Sequence, residues 1–245
     1  MHLIRFERLW MVFLIIGCLG LIGCGGSERA DNTTAEYVVK TVEKGQHSLS
    51  LEELAGWMFL GEGSVRVDSG ENALFMTEAP GSKGVTLVSP ATFPENMVLT
   101  FKVKPLSYES VNVVVISASD SITGGALEVP ADYDGGFDFW TAGRINNYVF
   151  AFHNSAHDRK PFIVKDPGMQ LLAESDANVM GEQWHSIEIG RADKRLWLKI
   201  DGNSVVEVED SSETALPGGV IGFRLRGTPD AVASALFKDV VVDVK

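Results

Sequence analysis

The stretch 132–165 holds the densest mixture of aromatic, acidic, basic and imidazole side chains in the sequence. Aromatic rings stack on apolar ligand faces, and charged and amide groups form hydrogen bonds of defined geometry. The side chains concerned are Asp132, Tyr133, Asp134, Asp138, Trp140, Arg144, Asn146, Asn147, Tyr148, His153, Asn154, His157, Asp158, Arg159 and Lys165. We therefore take this window as the first candidate for a functional site.

General acid–base chemistry could be assembled from this window. Removal of a proton next to a carboxylate needs a base, and His153 or Tyr148 could supply it. It also needs a cation that neutralises the carboxylate. The candidate cations are Arg144, Arg159, Lys165 and Arg224. Asn154 or Gln170 would hydrogen-bond the same carboxylate. The simpler alternative is that these residues bind a ligand without catalysis.

A second set of side chains is suited to holding a ligand. Its members are Trp140, Asn147, Asn154, Gln170, Arg224 and Arg226. Arg224 and Arg226 alternate with Phe223 and Leu225, which predicts that both guanidiniums point away from the core. Together they could bind the carboxylate of an acidic sugar. The competing interpretation is that they pair with nearby Asp or Glu residues.

The strand around residue 150 has two chemically different faces. One face carries Tyr148, Phe150, Phe152 and Asn154, and the other carries Asn147, Val149, Ala151 and His153. The face with three aromatic rings is better suited to pack in the core than the face with Asn147 and His153. We therefore predict that Asn147 and His153 face a groove or solvent. The competing interpretation for His153 is a surface histidine without function.

The Gly-rich stretch 132–138 is a candidate calcium loop. Asp132, Asp134 and Asp138 would supply carboxylate oxygens, which are the ligands that Ca²⁺ prefers. The spacing differs from that of an EF-hand, and the competing interpretation is a solvated loop.

Composition excludes several other classes of site. The formal net charge of −12 repels phosphate backbones and argues against a nucleic-acid partner. No Gly-x-Ser-x-Gly or His-Glu-x-x-His motif occurs, so neither a serine hydrolase of that type nor a zinc peptidase of that type is supported.

Short segments of alternating polarity, separated by turn residues, predict an all-β domain. The predicted strands are 64–68, 73–77, 86–89, 97–104, 112–118, 148–154, 170–173, 184–191, 195–200, 204–210, 220–226 and 236–244. Asp201-Gly202-Asn203 predicts a hairpin turn, and the only helical stretch is 51–54. This many strands predict two antiparallel sheets packed face to face as a jelly-roll sandwich.

The first 24 residues have the three parts of an export signal. Arg5 and Arg8 are positively charged, 9–16 is apolar, and Leu21-Ile22-Gly23-Cys24 matches a lipobox in which Cys24 receives the lipid. The apolar stretch, about 15 residues long, is shorter than the ~20 needed to cross a bilayer. The competing interpretation is an ordinary signal peptide cleaved elsewhere.

The predicted organisation is a signal peptide at 1–24, a flexible tether at 25–47 and one domain at 48–245. Cys18 and Cys24 are the only cysteines, which excludes disulfides and zinc–thiolate sites from the mature domain. The lipid anchor would be the only membrane contact. Gly25 after Cys24 favours the outer membrane if the source is Gram-negative.

Several segments stand in an order typical of one family. They include Lys165-Asp166-Pro167-Gly168, Trp184-His185-Ser186 and Gly219-Val220-Ile221-Gly222-Phe223-Arg224. Over 54–244 the chain resembles the YesU-like family, which is a domain of unknown function found among pectin-utilisation genes. The resemblance implies a galectin-like, concanavalin-A-like jelly roll. Family members carry two consecutive arginines on the strand where this chain has Phe152-His153-Asn154.

These observations favour a lipid-anchored protein of the cell envelope whose jelly-roll domain interacts with carbohydrate in polysaccharide utilisation. The expected partner is an acidic polysaccharide or oligosaccharide, and the only cofactor considered is Ca²⁺. Two alternatives stay open. One is a polysaccharide lyase or glycoside hydrolase acting on acidic or oxidised sugars, and the other is a structural envelope lipoprotein.

Overall fold

A computed structural model describes residues 40–177, 181–213 and 215–245. The strands are β1 (Gly45–Ser48), β2 (Met58–Leu60), β3 (Gly63–Asp68), β4 (Ala73–Glu78), β5 (Val85–Val88), β6 (Met97–Pro105), β7 (Val111–Asp120), β8 (Ile145–Asn154), β9 (Phe162–Asp166), β10 (Gln170–Glu174), β11 (His185–Ala192), β12 (Arg195–Ile200), β13 (Asn203–Glu209), β14 (Val220–Arg226) and β15 (Ser234–Val244). The helices are α1 (Leu51–Ala55), α2 (Asp138–Thr141) and a 3₁₀ turn at Ser155–His157.

The strands form two antiparallel sheets. Sheet 1 has the order β13-β12-β11-β6-β15-β4-β3, with β1 also paired to β15. Sheet 2 has the order β10-β9-β8-β7-β14-β5-β2. Many neighbours within a sheet are distant in sequence, as in a jelly roll, and the predicted fold class is confirmed.

The main core lies between the two sheets and follows from strand alternation. On β6 the buried side chains are Met97, Leu99, Phe101 and Val103, each separated by a residue that faces outward. Tyr148, Phe150 and Phe152 face them from β8, as the sequence predicted. Each such side chain contributes roughly 1.5–3 kcal/mol on burial, so this double layer dominates the stability of the fold.

A second apolar cluster covers the outer face of sheet 2. The segment 121–144 between β7 and β8, which we name the covering segment, contains α2 and the fully buried Trp140. Half-buried Tyr133, Phe137 and Phe139 of this segment pack against the same cluster. The sheet residues in the cluster include Val88, Val113, Val115, Val149, Ala151 and Val164. The outer face of sheet 2 is therefore not an open groove.

The covering segment approaches the sheet backbone closely at Gly135. This residue has φ +86°, and a Cβ added there would lie 2.1 Å from the carbonyl oxygen of Gly84. Only glycine combines this backbone conformation with so close an approach.

Most of the predicted strands are confirmed, two of them, 195–200 and 220–226, to the residue. The predicted hairpin is also present, because Asp201 and Gly202 have φ of 50° and 78° between β12 and β13. Strands β1, β2 and β9 and helix α2 were not predicted. They are short elements that depend on partners distant in sequence.

The N-terminal predictions have different outcomes. The signal peptide, the lipobox and Cys24 lie outside the described residues. β1 pairs with β15, so the sheet begins before residue 48, within the stretch predicted as a tether. Within the part of the chain that is described, no helix has the length and apolar character needed to span a membrane.

Candidate functional site

Trp140 and Asn147, both predicted to bind ligand, hold the covering segment in place instead. Trp140 and Asn147 are both fully buried. The Asn147 amide donates to the carbonyl oxygens of Trp140 at 2.7 Å and Ile145 at 3.2 Å. The indole N–H of Trp140 donates to the hydroxyl of Tyr133 at 3.3 Å. The prediction that Asn147 faces a groove or solvent is therefore wrong. Strand alternation identified the face of the sheet on which Asn147 lies, but it contains no information about the segment that packs over that face.

Asp166 is the cross-strand neighbour of Asn147, and no pattern in the sequence indicates its role. Its Oδ1 accepts a hydrogen bond from the backbone N–H of Met169 at 2.7 Å. Its Oδ2 and the Oδ1 of Asn147 are buried without a hydrogen-bond partner among the described residues. Burial raises the pKa of Asp166 to about 6.

Tyr148 and Lys165, predicted as catalytic, meet at a buried carboxylate within the protein. The Tyr148 hydroxyl donates to Oδ2 of Asp210 at 2.7 Å, and Nζ of Lys165 lies 2.9 Å from the same oxygen. Burial raises the pKa of Tyr148 to about 12, which is unsuited to a base near neutral pH. Burial also acts to raise the pKa of Asp210, but hydrogen bonds from Tyr148, Lys165 and Ser212 outweigh it and hold that pKa far below its usual range. This network joins β8 and β9 to the loop that follows β13.

His153 is buried, which contradicts its predicted position in a groove or solvent. The pairing of β7 with β8 shifts register between Asn112 and Val113, so the simple alternation fails there. An imidazole nitrogen lies 3.1 Å from the carbonyl oxygen of Tyr108. Burial, with a smaller contribution from the charge of His185, lowers the pKa of His153 to about 4. His153 is therefore a neutral interior residue.

His185 on sheet 1 is an interior histidine that the sequence did not single out. Its Nδ1 lies 2.7 Å from Oδ2 of Asp201, and the backbone N–H of Ser186 donates to Oδ1 of that carboxylate at 2.8 Å. The carboxylate thus ties the hairpin turn between β12 and β13 to the start of β11.

The remaining predicted catalytic and binding residues are dispersed. Arg144 donates to Asp120 through Nε at 2.8 Å and lies 2.6 Å from it through Nη2. Arg159 stacks on Tyr108, with its guanidinium carbon 3.5 Å from the ring centroid. Gln170 is exposed on the edge strand β10. Arg159 and His153 both contact Tyr108, and Gln170 is the cross-strand partner of Lys165. However, His153 and Asn154 are fully buried, and Tyr148 and Lys165 are engaged by Asp210. The predicted elimination site does not assemble.

The three carboxylates of the candidate calcium loop do not form a metal-binding cluster. Within the described ranges, no group of three His, Cys, Asp or Glu side chains is placed to hold an ion. Asp134 instead forms an ion pair of 2.5 Å with Lys83 and accepts from the N–H of Gly136 at 2.9 Å. Asp132 and Asp138 are exposed. We therefore do not propose a calcium site here.

Arg224 and Arg226 point away from the main core, as predicted, but their surroundings differ. Arg224 is buried beneath the covering segment and donates to Thr86 Oγ1 at 3.2 Å and to the carbonyl oxygen of Lys83 at 2.9 Å. Its guanidinium carbon lies 5.0 Å from the ring centroid of Phe137. Arg226, two residues later, is exposed.

Arg226 lines a cleft of about 360 Å³ where β4 and β14 end, which we name the Arg226 cleft. The cleft lies between the turn after β4 and the connection from β14 to β15. Its polar side chains are Glu78, Ser82, Lys83, Arg226, Thr228 and Asp230. Of these, only Arg226 was predicted, because the others come from segments brought together by the fold.

Glu78 gives this cleft a fixed, buried carboxylate. Its Oε1 accepts hydrogen bonds from the backbone N–H groups of Gly227 at 2.5 Å and Ala233 at 2.9 Å. Its Oε2 has no hydrogen-bond partner among the described residues. By contrast, the side chain of Arg226 forms no ion pair or hydrogen bond with any residue in the described part of the chain. The cleft thus combines an available guanidinium with carboxylate and hydroxyl groups, which suits a small polyhydroxylated anion.

Comparison with other proteins defines the fold class. No protein-family model and no curated protein sequence matches this chain. A protein of unknown function with a galectin-like fold from Bacillus subtilis superposes with a TM-score of 0.70 at 19% identity, covering 82% of this chain and 96% of that one.

Two further structures of the same fold carry names of carbohydrate proteins. Carbohydrate-binding module CBM66 from Bacillus subtilis has a TM-score of 0.50 at 12% identity, covering 84% of this chain and 99% of that one. Bacillus licheniformis beta-glucanase has a TM-score of 0.56 at 10% identity, covering 83% and 100%. The chain therefore has a galectin-like, concanavalin-A-like jelly-roll fold.

Proposed function

We propose that this chain is a carbohydrate-binding protein and that its Arg226 cleft takes a carboxylate-bearing sugar. The observation that carries the proposal is the exposed guanidinium of Arg226, which has no partner among the described residues and lines a cleft beside a buried carboxylate. A guanidinium binds a carboxylate through two parallel hydrogen bonds, so an acidic sugar supplies the missing partner.

The other groups of the cleft are suited to sugar hydroxyls. Asp230 offers acceptor oxygens, and Thr228 and Ser82 offer hydroxyls that both donate and accept. The same jelly-roll fold is found in the carbohydrate-binding module and the glucanase, which supports carbohydrate as the class of ligand.

Binding accounts for these observations better than elimination or hydrolysis. The candidate bases Tyr148 and His153 are both buried and tied to neighbouring groups. A lyase would require a base beside the bound uronate. None of the predicted catalytic residues lines the Arg226 cleft.

The proposal also includes a cellular location and a biological role. The lipobox at Leu21-Ile22-Gly23-Cys24 would anchor the mature protein to the cell envelope through a lipid on Cys24, at the outer membrane in a Gram-negative source. We further propose membership of the YesU-like family and a role in polysaccharide utilisation. The galectin-like structure from Bacillus subtilis supports that assignment at the level of fold.

The first prediction concerns Arg226. The chain purified from cells in detergent is titrated with oligomers of galacturonate, glucuronate, mannuronate and guluronate, and affinities are measured by calorimetry. We expect at least one of these to bind, and we expect Arg226→Ala to weaken that binding by about 10- to 100-fold, because one charge-assisted contact is lost.

Arg66→Ala is the matched control, since Arg66 is an exposed arginine on β3 that is paired with Asp68. It should leave the affinity unchanged. Absence of binding across the panel, or an equal loss in both variants, would contradict the proposal. Growth of ultraviolet absorbance from unsaturated uronates during the titration would instead establish a lyase.

A further inference from the structure

The indole of Trp197 lies across the neighbouring strand on the outer face of sheet 1. Trp197 on β12 is the cross-strand partner of Gly190 on β11. A Cβ added at Gly190 would lie 1.9 Å from Cζ2 of Trp197, so the ring occupies the space that a side chain at 190 would fill. The indole N–H donates to Oε1 of Glu188 at 2.8 Å. The half-exposed ring is thus held in one orientation by the backbone beneath it and by this hydrogen bond, and the guanidinium carbon of Arg195 lies 5.5 Å from its centroid.

A shallow polar groove on the same face is lined by Glu188, the residue that accepts the hydrogen bond from Trp197. It has a volume of about 390 Å³, and its polar lining residues are Thr100, Lys102, Ser186, Glu188, Lys199 and Asp239. Strand register places Glu188 between Lys199 and Thr100, and Ser186 next to Lys102, on the same face. The groove therefore presents a row of hydrogen-bonding groups from β12 across β11 to β6.

The charges of the groove are balanced in pairs. Nζ of Lys199 lies 2.8 Å from Oε1 of Glu188, and Nζ of Lys102 lies 2.9 Å from Oδ2 of Asp239. Because each cation has its own carboxylate, the groove has no charge preference between an acidic and a basic ligand. Its paired groups still offer donors and acceptors to hydroxyls.

A second tryptophan stands at the other end of this face. Trp184 directly precedes β11 and falls on the same side as Ser186, Glu188 and Gly190, since Ile187 and Ile189 fill the core. Nζ of Lys238 lies 3.9 Å from its ring centroid. At about 3.4 Å per residue, Trp184 and Gly190 are about 20 Å apart along the strand. Along β11, the groove residues Ser186 and Glu188 thus lie between Trp184 and Gly190, the residue beneath Trp197.

We propose that this face of sheet 1, from Trp184 to Trp197, binds an extended neutral oligosaccharide. A sugar ring stacks its apolar C–H face on the indole of Trp197, and its hydroxyls meet Glu188, Lys199 and Thr100. We name this surface the tryptophan face. It is a second site, separate from the Arg226 cleft in residues and in ligand charge. The opposite sheet cannot serve in this way, because the covering segment buries its outer face.

The second prediction tests this site with defined probes. The chain purified in detergent is titrated with hexasaccharides and disaccharides of the cello, laminari, manno, xylo and galacto series, and intrinsic tryptophan fluorescence and calorimetry are recorded. We expect at least one hexasaccharide to bind and to change the fluorescence, and we expect its disaccharide to bind at least about tenfold more weakly. Trp197→Ala should weaken hexasaccharide binding by about tenfold or more, and Trp197→Phe should retain part of the affinity.

Tyr108→Ala is the matched control, because Tyr108 is an exposed aromatic residue in the loop between β6 and β7, away from this face. Glu188→Gln supplies a second variant that leaves the ring intact and should also reduce the affinity. Thermal unfolding of each variant shows that it is folded. The proposal is overturned if no neutral hexasaccharide binds, if Tyr108→Ala loses as much affinity as Trp197→Ala, or if Trp197→Ala and Glu188→Gln both bind normally. Arg226→Ala should leave this binding unchanged. A negative result for the tryptophan face can therefore be distinguished from a negative result for the Arg226 cleft.

Discussion

Asp166 shows how strongly burial alters a single residue in this protein. It is fully buried on β9 and receives one hydrogen bond, from the backbone N–H of Met169. Within the described structure no cation forms an ion pair with it. Burial consequently raises its pKa from 3.8 to about 6, whereas the paired carboxylate Asp120 has its pKa lowered to about 2. For Asp120 the hydrogen bond from the backbone of Thr123 is the largest cause, and Arg144 adds to it.

The third prediction follows from Asp166. Between pH 3.8 and about 6 the folded protein holds a proton on Asp166 that the unfolded chain has released, so this residue makes the folded state less stable as pH rises through that window. The cost above pH 6 is about 2–3 kcal/mol. We expect Asp166→Asn, which keeps an acceptor for Met169 but cannot ionise, to be more stable than the wild type at pH 8 by about 2 kcal/mol, with little difference at pH 4.

Urea denaturation at the two pH values measures this difference. Asp132→Asn serves as the control, since Asp132 is an exposed carboxyl on a loop, and its stability should follow that of the wild type. A loss of stability in Asp166→Asn at pH 8 would mean that the carboxylate makes a favourable contact, contrary to the argument.

At the scale of elements, the covering segment has the largest consequence for function. It places Trp140 and the rings of Tyr133, Phe137 and Phe139 over the outer face of sheet 2. Two hydrogen bonds fix it to the rest of the protein, from the Asn147 amide to the carbonyl oxygen of Trp140 at 2.7 Å and from the backbone N–H of Gly168 to the carbonyl oxygen of Thr141 at 2.7 Å. The two proposed sites accordingly lie where β4 and β14 end and on sheet 1.

The fourth prediction concerns Trp140, at the centre of the covering segment. Trp140→Ala should lower the free energy of unfolding by about 3–5 kcal/mol, because it leaves a large cavity between α2 and the sheet. It should also make the 121–144 segment a preferred site of proteolysis under native conditions, and it should increase the binding of a hydrophobic dye to the exposed sheet face. Chemical denaturation and limited proteolysis measure these effects.

Trp57→Ala is the comparison variant, since Trp57 packs in the main core and not in the second cluster. It should destabilise the protein without directing cleavage to 121–144. Similar cleavage patterns for both variants would argue against an independent role for the covering segment.

Strand prediction succeeded where the strand is defined by a pattern among residues that are neighbours in the sequence. The strands 195–200 and 220–226 and the Asp201-Gly202 turn are visible from the sequence, because side-chain period and turn chemistry depend on neighbouring residues. β2 and β9 were missed since they are short and are defined by their partners β5 and β8. The register shift between Asn112 and Val113 was invisible for the same reason, and it moved His153 to the interior.

At the scale of the whole molecule, the two proposed sites and the proposed anchor belong together. On these proposals, the Arg226 cleft would bind a charged sugar and the tryptophan face a neutral chain. A heteropolysaccharide that contains both sugar types could engage them together and gain affinity through the raised effective concentration. A lipid on Cys24 would keep such a polymer at the cell envelope.

The fifth prediction concerns that anchor. Cells that express the full chain are labelled with a radioactive fatty acid and then fractionated. We expect the wild type to incorporate label and to sediment with membranes, whereas Cys24→Ser should incorporate none and appear in the soluble or unprocessed fraction, because the thiol that accepts the lipid is gone. Cys18→Ser is the matched control and should behave as the wild type, since Cys18 lies within the apolar part of the signal. Labelling of Cys24→Ser would contradict the lipobox assignment.

The sequence by itself determined the all-β class, most strand positions and the outward direction of Arg224 and Arg226, because alternation along a strand is a local, period-two property. The tertiary structure alone decided what covers each face. It buried Arg224 and Asn147 beneath residues 121–144 and drew Tyr148 and Lys165 to Asp210. It also brought Glu78 and Arg226 together at one cleft from strands that are distant in sequence. Accessibility depends on contacts between segments far apart in the chain, and a local pattern contains no information about those contacts.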